Sequence, residues 1–138
     1  MRRRAALALG RVGLSDAVPA LARRLAADTE EEVRQRAAFA LGLIGAPDAA
    51  GGLVAALADP SALVRGRAAE ALGRIGSDAG AAAIADMVRE RLDELAQIAP
   101  DDLSHPLAPS IESARLGLYA LGRLQAYDAL AAAVLALA

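Results

Sequence analysis

The sequence predicts an all-α fold in which about four helix hairpins stack side by side as a solenoid. Three observations support this prediction: an internal repeat of about 31 residues, apolar residues at helical spacing within each repeat, and a composition rich in alanine and leucine. Of the 138 residues, 56% are hydrophobic but only 2% are aromatic. Alanine is the strongest helix former and lets helix backbones approach closely, whereas a β-sandwich would require β-branched and aromatic residues.

The tripeptide Ala-Leu-Gly occurs four times and sets the period of the repeat. Its glycines are Gly10, Gly42, Gly73 and Gly122. They are separated by 32, 31 and 49 residues, so the last step is one period plus about 18 inserted residues. We therefore predict one domain, residues 1–138, with repeats at about 1–27, 28–58, 59–99 and 110–138 and an insertion at about 90–112.

Each period is expected to hold two amphipathic helices joined by a short turn. In the second copy, the first helix is predicted from about Glu30 to Ile44, with Gly45 ending it at positive φ. Asp28 and Glu31 predict a capping box at its start, and Asp59-Pro60 predicts an N-cap followed by proline in the third copy. One hairpin cannot bury both of its faces, so stacked neighbours must complete the core.

These elements resemble HEAT repeats, in particular the short bacterial form also described as phycobilisome-lyase HEAT-like repeats. In the third copy the resemblance is carried by Asp59-Pro60, Val64-Arg65, Ala68-Ala69, Ala71-Leu72-Gly73 and Ile75-Gly76. It extends over about residues 1–89 and 113–138 and implies a right-handed α-α superhelix, a HEAT/armadillo-like solenoid. It also implies a structural ladder between neighbouring copies, formed by Asp28, Arg34, Asp59 and Arg65.

Residues able to carry chemistry are sparse, and we predict no catalytic residue, no metal site and no cofactor. The chain has no cysteine and a single histidine, so zinc or iron sites of the usual ligand types are not expected. The insertion contains Asp101, Asp102 and His105 among prolines that prevent a continuous helix. We expect it to be either an ordinary connector or a loop that takes part in partner recognition.

The charge distribution provides no global attraction to nucleic acid. The formal net charge is −2, and all 15 basic residues are arginine. Charged residues or glycine interrupt every apolar stretch before it reaches transmembrane length, and no signal-peptide core follows the basic start. We therefore expect a cytoplasmic protein with no membrane partner.

Two surfaces are candidates for contact with a protein partner. The second helices are expected to line the concave face, with exposed positions at Pro19, Arg23, Ala26, Ala55, Ala82, Asp86 and Arg89. Such small side chains would accept a helix or an extended apolar segment. On the convex face we predict an apolar patch of Leu7, Phe39 and Leu43, which either marks a contact site or lies against arginine stems.

The function predicted from these features is that of a non-catalytic scaffold that mediates protein–protein interaction, with a partner of unknown identity. The resemblance keeps two alternatives open: a bilin-lyase-like enzyme or enzyme subunit, and a nucleic-acid-binding protein. Nucleic acid is less favoured because the concave positions carry few charges of mixed sign and no stacking aromatics. Neither end of the sequence carries a polar capping helix, so self-association through the solenoid ends is also expected.

Overall fold

The computed structural model of the chain describes Arg4, residues 15–95 and residues 109–135, and these residues form helices and turns with no strand. The α-helices are α1 (Val18–Ala27), α2 (Glu31–Ile44), α3 (Ala50–Ala56), α4 (Ala62–Ile75), α5 (Ala81–Leu95), α6 (Pro109–Arg123) and α7 (Tyr127–Leu135). Short 3₁₀ turns at Ser15–Ala17, Pro47–Ala49 and Asp78–Gly80 precede α1, α3 and α5.

The helices stack in register with the repeat. The first helices α2, α4 and α6 pack on one another in chain order, and each also packs on the second helix of the preceding copy. A continuous apolar core runs through the stack, and its large buried side chains include Leu21, Leu41, Leu53, Leu72, Ile84 and Leu121. The predicted all-α solenoid of stacked hairpins is therefore confirmed.

The Ala-Leu-Gly tripeptide recurs because the glycine of one copy faces the alanine of the next. A Cβ placed on Gly42 would lie 2.8 Å from the Cα of Ala71, and one placed on Gly73 would lie 2.8 Å from the Cα of Ala120. Real Cβ atoms do not approach backbone this closely, so only glycine permits this spacing of the first helices. At Gly122, the equivalent position of α6, the described residues leave open space within 4 Å.

The starts of the first helices differ from the prediction because two aspartates serve the preceding turns. The predicted capping box is not formed: the N-cap of α2 is Glu30, without a side-chain cap, and Asp28 accepts a hydrogen bond from the Glu30 backbone N–H at 3.1 Å. In the third copy, Ser61 rather than Asp59 is the N-cap, and its hydroxyl accepts from the N–H of Val64 at 3.5 Å. Asp59 instead accepts from the N–H of Ser61 at 2.8 Å.

Left-handed residues end the first helices. Gly45 and Gly76 follow α2 and α4 with φ of 72° and 77°, as predicted for Gly45. The fourth copy has Gln125 at the equivalent position, and it adopts φ of 54°. A residue with a side chain is strained in this region, whereas glycine adopts it freely.

We therefore expect Gln125→Gly to raise the free energy of unfolding by up to about 1 kcal/mol, measured by chemical denaturation. The matched control is Gly76→Gln, which should lower it by a similar amount. Because a Cβ at Gly76 meets nothing within 4 Å, that loss would come from the backbone alone. A decrease in stability for Gln125→Gly would show that contacts of the glutamine side chain outweigh the strain.

Candidate functional site

One face of the stack is formed by the second helices. The second-helix face is defined by the seven positions Pro19, Arg23, Ala26, Ala55, Ala82, Asp86 and Arg89, which lie on α1, α3 and α5. All seven are exposed. The phase of the repeat thus places on one surface the residues selected from the sequence.

The centre of the second-helix face, on α3, is nearly free of side chains. A Cβ placed on Gly51 or Gly52 would meet nothing within 4 Å. A cavity of about 290 Å³ opens beside α3, lined by Leu25, Ala26, Gly52, Ala55, Ala56, Ala58 and Asp59. Its walls are mostly small and apolar, so another polypeptide can approach the backbone of α3 closely.

Charged side chains flank this bare centre. On α1, Arg23 and Arg24 line a second cavity of about 450 Å³, and Arg24 Nη1 lies 3.2 Å from Asp28 Oδ2. On α5, Arg89 Nη2 lies 2.6 Å from Asp86 Oδ1. The charges on this face are therefore few and of both signs, which is a poor match to a phosphate backbone.

Arg34 connects the second copy to the third. Its Nε and Nη2 donate to the two carboxylate oxygens of Asp59 at 2.8 and 3.1 Å. Its Nη1 donates to the carbonyl oxygens of Asp28 and Thr29 at 2.9 and 3.2 Å. The hydrogen bond with Asp59 raises the pKa of the Arg34 guanidinium, because the carboxylate stabilises the charged form.

Arg65 occupies the same position one copy later. Its Nη1 donates to the carbonyl oxygens of Asp59 and Pro60 at 2.8 and 3.1 Å. Asp28, the first ladder residue, accepts hydrogen bonds from Arg24 and from the Glu30 backbone. Arg34 and Arg65 thus both hold the turn that precedes their own helix, and Arg34 also holds the next copy.

On the opposite face, Phe39 lies half-buried beneath arginine side chains. The Cζ atoms of Arg67 and Arg74 lie 5.4 and 5.7 Å from its ring centroid. Both arginines pair with the buried carboxylate of Glu70, at 2.7 and 2.9 Å. Leu43 is also half-buried, and Leu7 lies outside the described residues. Phe39 is therefore part of a cation–π and ion-pair cluster that joins the second and third copies.

This cluster was missed by sequence reasoning, which assigned its arginines to a solvated surface. The signal was present as the spacing of Arg67, Glu70 and Arg74, which places both arginines within one helical turn of the carboxylate. Its contact with Phe39 depends on how two copies stack, so the spacing alone did not reveal it.

The described residues offer no alternative chemistry. They contain no group of three or more His, Cys, Asp or Glu side chains arranged to hold a metal ion. Asp101, Asp102 and His105 of the insertion lie outside the described residues. None of the described helices is long and apolar enough to cross a membrane.

Comparison with known proteins agrees with this arrangement. A family model described as HEAT repeats matches residues 1–41 and 23–99, while no curated protein matches the sequence. Among solved structures, the chain is similar to one chain of the complex of CpcE and CpcF of phycocyanin lyase from Nostoc sp. PCC7120, with 31% identity and a TM-score of 0.75. The similarity covers 93% of this chain and 49% of that chain, so this chain spans about half the length of its neighbour. Because the family model matches more than half of the sequence, the chain belongs to the HEAT-repeat family.

Proposed function

We propose that the chain is a non-catalytic HEAT-repeat scaffold that binds a protein partner along the second-helix face. The observation that carries this proposal is the exposed stretch of small residues at Gly51, Gly52 and Ala55. Binding there requires no long charged side chain to be ordered or stripped of water, which lowers the free-energy cost of association. The expected occupant is a helix of the partner with small apolar residues on its contact side.

The similar solved structure supports a protein partner, because it is a complex of two subunits, CpcE and CpcF. The flanking charges would orient the bound helix. An acidic residue of the partner helix fits beside Arg23, which is exposed and has no carboxylate partner among the described residues. These charges set the direction of the helix, while the apolar centre provides most of the buried surface.

Ala55→Arg tests this proposal. A long charged side chain on the bare centre should weaken partner binding by ~10–100-fold, the effect expected from overfilling a closely packed contact. The matched control is Ala79→Arg, since Ala79 is exposed in the turn before α5 and lies outside the second-helix face.

The three chains would be immobilised, exposed to native lysate, and the retained proteins identified by mass spectrometry. A protein retained by the wild-type chain and by Ala79→Arg, but lost from Ala55→Arg, would support the proposal, and its affinity would then be measured by calorimetry. Retention that is equal for all three chains would contradict it. Binding that is lost at high salt or after nuclease treatment would instead indicate nucleic acid.

A second candidate function is that of a subunit of a bilin lyase. It is favoured by the 31% identity to a chain of the phycocyanin lyase complex. In this case the second-helix face would hold another subunit or the protein that receives the chromophore. Incubation with a bilin and apo-phycocyanin, followed by visible absorption spectroscopy, tests it: attached chromophore would support the lyase function, and its absence with every added subunit would count against it.

Self-association is a further form of the same proposal, with a second copy of the chain as the partner. Light scattering over a range of protein concentrations distinguishes the two occupants. A mass that rises with concentration and is reduced in Ala55→Arg would place a second copy on this face, whereas a constant monomer mass would leave a different protein as the partner.

A further inference from the structure

The ladder residue Arg34 uses its whole guanidinium group. Nη1 is held by two backbone carbonyls of its own copy, and Nε and Nη2 hold both oxygens of Asp59 from the next copy. The Arg34 side chain is 15% exposed and that of Asp59 is 9% exposed. This two-point pairing in a half-dry site is the geometry in which arginine binds carboxylates most strongly.

Arg65 repeats only half of this arrangement. It lies 31 residues after Arg34, and its Nη1 binds the two equivalent carbonyls, of Asp59 and Pro60. Among the described residues, no carboxylate pairs with its Nε or Nη2. The sequence gives the reason: Ala108 precedes Pro109 in the fourth copy, where the third copy has Asp59 before Pro60.

The unused part of Arg65 is prepared for an anion. Its two carbonyl contacts fix the guanidinium plane, and the residue is half-buried. A fixed and partly dry guanidinium loses little entropy and little hydration when a carboxylate binds at its remaining edge. An exposed arginine such as Arg23 has neither advantage.

The unused edge also adjoins the surface proposed for partner binding. Asp59 lines the 290 Å³ cavity of the second-helix face, and the carbonyl oxygen of the same Asp59 holds Arg65 at 2.8 Å. A polypeptide seated in this cavity is therefore within side-chain reach of Arg65.

We propose that Arg65 is an unfilled rung of the inter-copy ladder and binds the carboxylate of an acidic side chain supplied by the protein partner. The inference rests on the proposed function and adds the chemistry of the contact. The partner is expected to place an aspartate or glutamate at the edge of its apolar helix, in the position that Asp59 takes on Arg34.

The first test measures whether Arg65 accepts a carboxylate in the full chain. Arginine Nε–H resonances of the ¹⁵N-labelled protein are followed while N-acetyl-aspartate N-methylamide is added, with the asparagine analogue as the neutral control. The Arg65 resonance should shift and saturate at a lower concentration than that of Arg23, and the Arg34 resonance should not move. Equal responses of Arg65 and Arg23 would overturn the inference.

An Arg65 resonance that already resembles that of Arg34 before the addition would also overturn it, because the chain would then fill its own rung. Asp101→Asn and Asp102→Asn would identify that internal source, since the responsible substitution would free the Arg65 resonance.

The second test uses the partner recovered with the wild-type chain. Arg65→Met should weaken binding by ~10–100-fold, the loss expected for hydrogen bonds to a charged group. Ala108→Asp should do the same while keeping Arg65, because it supplies the missing carboxylate from within the chain, and Ala108→Asn is its neutral control. If Ala55→Arg weakens binding and Arg65→Met does not, the rung inference is wrong and the proposed function stands. If Ala55→Arg has no effect, the proposed function itself fails.

Discussion

Gly73→Ala is expected to lower the free energy of unfolding by about 2–3 kcal/mol, although alanine is the better helix former. The added Cβ would lie 2.8 Å from the Cα of Ala120, and this neighbour is backbone that cannot rotate away. α4 and α6 would have to separate, and the contact between the third and fourth copies would loosen along its length. Chemical denaturation monitored by circular dichroism measures the change.

The matched control is Gly122→Ala. Gly122 has the same place in the Ala-Leu-Gly tripeptide, but the described residues leave open space around it. With no clash, the substitution should be neutral or should stabilise the chain by up to about 1 kcal/mol. If both substitutions changed stability in the same direction and by the same amount, close packing would not be the reason for the repeated glycine.

Arg34→Met is expected to cost about 2–4 kcal/mol of unfolding free energy, because it leaves the nearly buried carboxylate of Asp59 without its two-point partner. Arg65→Met, the control, removes only contacts to two carbonyls and should cost about 1 kcal/mol. The difference between the two measures what the carboxylate adds to an otherwise repeated contact.

A double-mutant cycle separates this pairing from the other roles of Arg34. In Arg34→Met combined with Asp59→Asn, the total loss should be smaller than the sum of the single losses, with a coupling energy of at least ~1 kcal/mol. Equal costs for Arg34→Met and Arg65→Met, or purely additive losses in the cycle, would contradict the assignment of Asp59 as the main partner of Arg34.

The fold was predictable because its signals are local and repeated. The Ala-Leu-Gly period indicated stacked hairpins, and Gly45 was identified as a helix end from its position after the last apolar residue of the first helix. Helix starts were less predictable. Asp59 satisfied the sequence pattern for an N-cap, yet its carboxylate binds the backbone of Ser61 and the guanidinium of Arg34 instead. A short polar side chain has several local partners, and the choice depends on the neighbouring copy.

The candidate site was predictable to a similar degree. Helical phase identified the exposed positions of the second-helix face, including Ala55 and Ala82, since exposure follows from which side of a helix faces the core. The cluster of Phe39, Arg67 and Glu70 was not predicted, because it joins side chains of two copies. Such contacts require the rotation and spacing of stacked helices, which the period does not specify.

By itself, the sequence determined that the chain is an all-α solenoid of HEAT repeats, where its first helices end, and which side of each second helix is exposed. Only the tertiary structure distinguished residues that are equivalent in the repeat: Gly73 is closed by a neighbour and Gly122 is open, and Arg34 holds a carboxylate that Arg65 lacks. Periodicity and backbone conformation are local properties, written identically into each copy. What a residue contacts across the stack depends on the copy beside it, and the copies beside these residues are not the same.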